Sequence, residues 1–595
     1  MVTNRRFVLA TLLVLTAVAV GGVYYVVNRV SAAVVPAALD DILPANTDVY
    51  VAFNHSSDEQ ATLTRLWTTY TRHAGTAAAI AHLQAAYRKE PGVNKDCVDA
   101  QHKATSLLNS IGDGVGMALW LPPAGSTAQP QVALLAQIKI VNLLSNGGSD
   151  QLRDIASTSN GVTYRGTHIY KVSARGACGS GAGGGYAALV ANDLVFAQTK
   201  APIERIVDAS QPQAATLAGD KDYSATLAAL PSSRLLTVYV SKHVAALAQQ
   251  GIDEGMNSRT SSGSLALTTP QQRHLRGLLP NLVRPYGMDI AVGADSVSLD
   301  TSALPIATAG NAAQHNTPNQ GATIVGDNTI LYASQVNLAA TLKPYLSLIP
   351  PGQLHQMEQQ TGIDVQRDLL DWMNGEYIVD VNDSVSPLAA DKHIAPGLVS
   401  DLTGSSSRTA STTAPATPLL GAVEMAWHVD NPAHVQRSLD RIITAANRQA
   451  GSSSSSSSLR ITVTTLPDGT VLHTLRGVPG VGYALRGHWL IFSSNLAANV
   501  APRATTLAGD ADYKAIMGRV SHMAALSGVE YLNVTRLLSL VDRWIAYTNS
   551  ARPGTIPTAD WTRVEPVIAP LHSVLAYAQL TGKRDATFHM VMTVK

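Results

Sequence analysis

Charge is scarce in this chain and balanced in sign. Only 14% of the 595 residues are charged, 43 basic against 42 acidic, for a formal net charge of +1. No dense Lys/Arg cluster occurs either, so nothing provides the electrostatic footprint of DNA or RNA binding. Cysteine is scarcer still, with two in all. The first is Cys97, so no residue near the N-terminus can be acylated and a lipoprotein is excluded. Short catalytic signatures are missing as well. There is no G-x-S-x-G nucleophile elbow, no S-x-x-K and no H-E-x-x-H. Aromatics make up 5%, yet 46% of the chain is hydrophobic. That is enough apolar material for large cores and excludes a disordered protein.

Long apolar runs are also missing, with one exception. Phe7 to Val27, "FVLATLLVLTAVAVGGVYYVV", is 21 residues without a charge. At the helical rise it spans the hydrocarbon core of about 30 Å. Arg5 and Arg6 precede it, only Arg29 follows closely, and Tyr24 and Tyr25 lie near its far end. The positive-inside bias predicts a cytoplasmic N-terminus and an extracytoplasmic bulk. "VSAAVV" at 30–35 would suit a peptidase. The run is nevertheless longer than a usual signal-peptide core, which favours an uncleaved signal anchor and a single-pass protein.

What the chain does have is a repeat. Residues 216–230 read "TLAGDKDYSATLAAL" and residues 506–520 read "TLAGDADYKAIMGRV". Eight of fifteen positions agree at an offset of 290. Upstream, "GYAALVANDLVFAQ" (185–198) matches "GYALRGHWLIFSS" (482–494), and "NTDVYVAFN" (46–54) matches "NTILYASQV" (328–336). The order is the same in both halves. A period this long suits two homologous domains, not a solenoid. The predicted layout is a stub and anchor over 1–35, a first repeat over 36–306, a linker over 307–325 and a second repeat over 326–595. Ser/Thr-rich stretches near 400–418 and 451–458 are predicted to be disordered loops.

Each half is predicted to be an α+β domain, a mostly antiparallel sheet with helices on one face. Val49, Val51 and Phe53 alternate with Tyr50, Ala52 and Asn54. Val423, Met425, Trp427 and Val429 alternate with Glu424, Ala426 and His428. Alternation of this kind marks strands with one buried face. Two-residue turns at Asn192-Asp193 and Arg486-Gly487 predict hairpins. In the repeated stretch, Gly219 is read as the turn, Asp220 or Asp222 as a helix N-cap, and Tyr223 as the start of the helix. Gly509, Asp510, Asp512 and Tyr513 repeat that logic. The motif is therefore read as structural.

Candidate chemistry is thin. "GSGAGG" (179–184) fits G-x-G-x-x-G, but a strand follows it where a dinucleotide site needs a helix. His428 and His434 could meet across a turn, but Zn²⁺ wants three or four ligands. Asp364, Asp368 and Asp371 share one side of a helical pattern. Asp364 reads as an N-cap and the other two as a solvated face. Cys97 and Cys178 both fall in inserts that the second copy lacks. Thiols outside the membrane tend to pair, so a Cys97–Cys178 disulfide is expected, with two free thiols as the alternative. No cofactor and no metal is expected.

"LPANTDVYVAFN" (43–54), "TGIDVQRDLLDWMNGEYIVDV" (361–381) and the "TLAGDKDY" helix start together resemble the bacterial domain of unknown function family 3352. The resemblance covers nearly everything after residue 40. It implies an anchored envelope protein and no known activity. The reading that follows is a non-enzymatic, membrane-anchored binding or scaffold protein of the bacterial envelope. Its partner would be the membrane together with an envelope protein or an apolar ligand. The alternatives are an envelope hydrolase whose site assembles only in three dimensions, and a structural spacer.

Overall fold

The structure is a computed structural model. It describes residues 39–54, 57–88, 111–123, 126, 128–138, 161–172, 185–191, 193–231, 234–250, 284–302, 304–305, 316–346, 349, 351–385, 420–452, 461–476, 480–520, 526–551, 558–581 and 585–595. The charge-free run Phe7–Val27, Cys97, Cys178, the "GSGAGG" loop and the Ser/Thr-rich stretches 400–418 and 453–458 lie outside the described residues. No helix among the described residues is long and apolar enough to cross a membrane.

The protein is α+β with antiparallel sheet. The described residues divide into two compact units, the first running to Leu304 and the second from Pro305 to Thr593. The first unit's strands are β1 (Val49–Asn54), β2 (Ile111–Trp120), β3 (Gln131–Ile138), β4 (Val162–Tyr164), β5 (Thr167–Val172), β6 (Gly185–Val190), β7 (Asp193–Ala197), β8 (Leu236–Val240), β9 (Tyr286–Val292) and β10 (Ser296–Thr301). They lie in the order β4-β5-β6-β7-β3-β2-β1-β8-β9-β10, all antiparallel. A two-residue strand, β11 (Leu304–Pro305), follows. The second unit has β12 (Thr329–Val336), β13 (Glu376–Val385), β14 (Leu420–His428), β15 (Ile461–Thr465), β16 (Val471–Leu475), β17 (Gly482–Arg486), β18 (Trp489–Ser493), β19 (Gly528–Asn533), β20 (Leu571–Leu580) and β21 (Asp585–Val594). Their order is β15-β16-β17-β18-β14-β13-β12-β19-β20, again antiparallel. From β4 to β9, substituting each strand for its counterpart turns the first order into the second.

The repeated stretch does the same work in each unit. Leu217 N–H bonds to Leu43 O at 2.7 Å, and Leu507 N–H bonds to Val325 O at 3.0 Å. The chain then turns into a helix, Lys221–Ala228 or Ala511–Met517. Asp220 Oδ1 accepts the Tyr223 N–H at 2.9 Å, and Asp510 Oδ1 accepts the Tyr513 N–H at 2.9 Å. This satisfies one of the free donors at the helix start. Gly219 and Gly509 do not take a positive φ. Each capped helix presses its tyrosine onto two central strands. Tyr223 meets Tyr50 at 6.2 Å and Tyr239 edge-on at 5.0 Å. Tyr513 meets Tyr332 at 6.3 Å and Tyr531 at 5.1 Å. Tyr50 lies opposite Tyr239, as Tyr332 lies opposite Tyr531. All six rings are buried.

Four expectations need correction. Helices cover both faces of the second sheet. Leu490 and Tyr483 pack with Val435 and Leu439 of the helix Pro432–Ser452, while their strand neighbours Ile491 and Ala484 join Ile516 and Met517 on the opposite side. Both faces of these strands are apolar, so both need a cover. The alternation also points the wrong way in β14. Glu424 is fully buried, whereas Val423 and Met425 are exposed. Arg503 supplies the buried partner that lets Glu424 face the core. The hairpin turns sit elsewhere. Ala191, with φ of 49°, precedes Asn192, and Asp193 is already in β7. Gly487, with φ of 57°, precedes His488, and Arg486 is still in β17. The end of the anticipated linker, residues 319–325, belongs to the second unit's core. Val325 is buried, and Asn319 binds the hydroxyls of Tyr332 and Tyr513.

Asp220→Ala should destabilise the protein by about 1 kcal/mol, the usual worth of an N-cap. Asp510→Ala should cost more, because Asp510 Oδ2 also accepts from Arg536 at 2.8 Å in a partly buried site. Urea unfolding of the two variants checks this. Equal losses would contradict it.

Candidate functional site

Among the described residues of the first unit, an apolar strip is exposed on the antiparallel sheet. On β3, Ala133 and Leu135 are buried in the core, and the alternating Val132 and Leu134 are 39% and 52% exposed. Leu134 lies opposite Phe196 of β7 and Met117 of β2. Beside this strip and the neighbouring β5 and β6 is a groove of about 610 Å³. Its apolar walls are Pro130, Val132, Leu134, Val172, Tyr186 and Phe196, and its polar rim is Gln129, Gln131, Gln198 and Thr199. The volume is that of a small-molecule site. Among the described residues, no acidic, basic or imidazole side chain lines it. Its walls can hold an apolar chain, and its amides can bond a neutral head group. Its Tyr186 and Thr199 bring hydroxyls to the lining, and no described lining residue is a carboxylate, an amine or an imidazole that would activate them.

The polar clusters lie elsewhere. In the second unit, Thr535 Oγ1 is 3.3 Å from His572 Nδ1, and His572 Nε2 is 2.8 Å from Asp512 Oδ1. This is a hydroxyl, imidazole and carboxylate in line. The first unit is built differently at this place. There Asp222, the counterpart of Asp512, pairs with Lys242 at 3.0 Å. In both units the second aspartate of the motif ties its helix to a neighbouring element, and the identity of the partner is secondary. In the first unit Asp48 also accepts from Leu121 N–H at 2.7 Å, from Ser241 Oγ at 3.1 Å and from His243 Nδ1 at 2.8 Å, which fixes the start of the helix 242–250.

His428 and His434 do not come together. His428 stacks on His488 at 5.8 Å, and His434 Nε2 bonds to Arg367 O at 3.0 Å. No group of three metal-ligating side chains occurs among the described residues. The three aspartates do not share a helix, since the helix Val365–Asp368 gives way to a 3-10 turn at Leu370–Trp372. Asp364 caps the former, accepting from Arg367 N–H at 2.9 Å. Asp368 is not solvated but buried, because Arg441 reaches it at 3.1 Å and Asp364 N–H donates to it at 3.0 Å. Asp371 accepts from Gln366 at 2.6 Å.

With this geometry in view, the chain can be compared with known proteins. A family described as a protein of unknown function, DUF3352, matches residues 8–399, about two thirds of the chain. The chain belongs to the DUF3352 family. No curated protein and no solved structure matches it. The groove of this DUF3352 protein left no trace in its motifs. The one available signal was the apolar Val132 and Leu134 flanking Ala133 on a strand that also buries Leu135.

Buried carboxyls give the protein a pH dependence. Burial pushes Asp193 up to about 7. It pushes Asp289 up to about 7 as well, aided by Asp300 and opposed by Arg234. Asp380 rises to about 6 through burial, against hydrogen bonds from Thr329 and Asn382. Glu424 rises to about 7 through burial, against Arg503. These groups keep protons in the fold that the unfolded chain has lost above about pH 4. Folding therefore takes up protons between about pH 4 and 7, and stability falls as pH rises through that window. Thermal unfolding should occur at higher temperature near pH 5.5 than near pH 7.5. A midpoint that rises with pH would contradict this.

Proposed function

We propose that the protein is a membrane-anchored, extracytoplasmic binding protein that holds an apolar ligand, a lipid acyl chain, in the first unit's groove. The groove carries this reading, with apolar walls, a neutral polar rim and no charged side chain among its described lining residues. The tether supports the choice of ligand. Eleven residues separate Val27 from Leu39. Fully extended they reach about 40 Å, so a unit anchored through Phe7–Val27 works close to the bilayer. The shared strand order and the two tyrosine clusters support an origin by duplication. The charge-free run Phe7–Val27 supports the bacterial envelope as the setting.

A fluorescent fatty acid titrated into the detergent-solubilised full chain tests the reading. The wild-type protein should bind saturably. Leu134→Glu puts a charge in the groove wall at a position exposed enough to spare the fold, and should weaken binding at least tenfold. Val564→Glu, at another exposed apolar position, should leave binding unchanged. Equal binding by all three proteins, or none by the wild type, would contradict it.

A further inference from the structure

The second unit contains a pair of acids that the first unit replaces with alanines. Asp380 of β13 lies directly opposite Glu424 of β14, and both are fully buried. At the matching register in the first unit, Ala118 of β2 lies opposite Ala133 of β3. The same strand positions thus build a sealed apolar layer in one unit and a sealed acidic pair in the other.

The pair's partners are few. Asp380 Oδ1 accepts from Thr329 Oγ1 at 2.7 Å and Oδ2 from Asn382 Nδ2 at 3.1 Å. Glu424 Oε2 accepts from Arg503 Nη2 at 2.8 Å. Glu424 Oε1 is buried and has no hydrogen-bond partner among the described residues. Arg503 also donates to Ile324 O and Asn499 O, each at 3.0 Å.

Charged groups on the surrounding elements do not rebalance the site. On the β18 side, opposite Glu424, stand the neutral Ser493 and Asn499, bonded to each other at 2.7 Å. On the β12 side, Arg536 donates to Thr329 O and pairs with Asp510. Along β13, Glu376 is taken up by Gln320 N–H, Gly321 N–H and Ser334 Oγ. Arg486, at the end of β17, acts on Glu424 more weakly than Arg503 does. Two carboxyls therefore share one close guanidinium in a space without water-exposed surface. Ionising both would leave a net negative charge with no donor for Oε1, and such a charge is strongly disfavoured.

We propose that Asp380 and Glu424 form a proton-binding site, in which the buried pair holds one proton that it releases as pH rises. With no donor at Glu424 Oε1, a second negative charge in the pair goes uncompensated, and protonation removes it. Across the strand pair Asp380 opposes ionisation of Glu424. The site makes the second unit pH-responsive at a position where the first unit, with Ala118 and Ala133, is not.

Infrared spectroscopy of the full chain reads the proton directly, through the carbonyl stretch of a protonated carboxyl group. Near pH 6 the wild-type spectrum minus that of Glu424→Gln should show this band, and the band should vanish by about pH 8.5. Asp380→Asn, which removes the neighbouring charge but not the burial, should make the Glu424 band disappear at lower pH than in the wild type. A difference spectrum with no protonated-carboxyl band near pH 6 would overturn the proposal. So would an Asp380→Asn protein, shown folded by circular dichroism, whose band disappears at the same pH as in the wild type. The second variant decides the matter if Glu424→Gln fails to fold.

Discussion

The structure depends on a tyrosine pressed onto two others by a helix whose first turn is capped by aspartate. Tyr223 and Tyr513 do not choose their own orientation. Asp220 and Asp510 fix the helix start through the Tyr N–H, and the helix then directs the ring between a pair of facing strand tyrosines. Edge-on aromatic contacts of this kind are worth about 0.5–1.5 kcal/mol each beyond the area they bury. Their greater effect here is on register. Tyr50 faces Tyr239 and Tyr332 faces Tyr531, so a slip of one residue in either central strand would turn a large ring away from the core. The remaining strands are laid down outward from these central pairs.

The repeat, the strand-rich character and the aspartate caps were legible in the sequence because each rests on local chemistry. An Asp before a short helix and a Gly-Tyr-Ala hairpin strand carry their own signals. What stayed hidden was decided by residues far apart in the chain. Glu424 in "VEMAW" reads as the solvent side of a strand, and only Arg503, 79 residues away, makes it the core side. Asp368 reads as solvated until Arg441 arrives from another helix. Runs such as "HWLIF" fit a strand buried on one face or on two, and the helix Pro432–Ser452 that covers the second face announces nothing about where it will dock. The groove was hidden for the same reason, since hydropathy does not say which apolar face stays uncovered.

The two units have diverged in what they do with one scaffold. At matching registers the first pairs Ala118 with Ala133 and the second pairs Asp380 with Glu424. Where Asp222 meets a lysine, Asp512 meets a histidine. The tyrosines and the caps are common to both units, and the differences fall around them. The first unit adds an open apolar groove, the second a facing pair of buried acids, and each also buries carboxyls of its own.

Native mass spectrometry of the full chain, extracted gently from its own membrane fraction, tests the central claim of a binding protein most directly. The account predicts a reproducible mass excess identified as a lipid or another apolar molecule, absent from the Leu134→Glu protein prepared in the same way. A clean apo mass for the wild-type chain would contradict it.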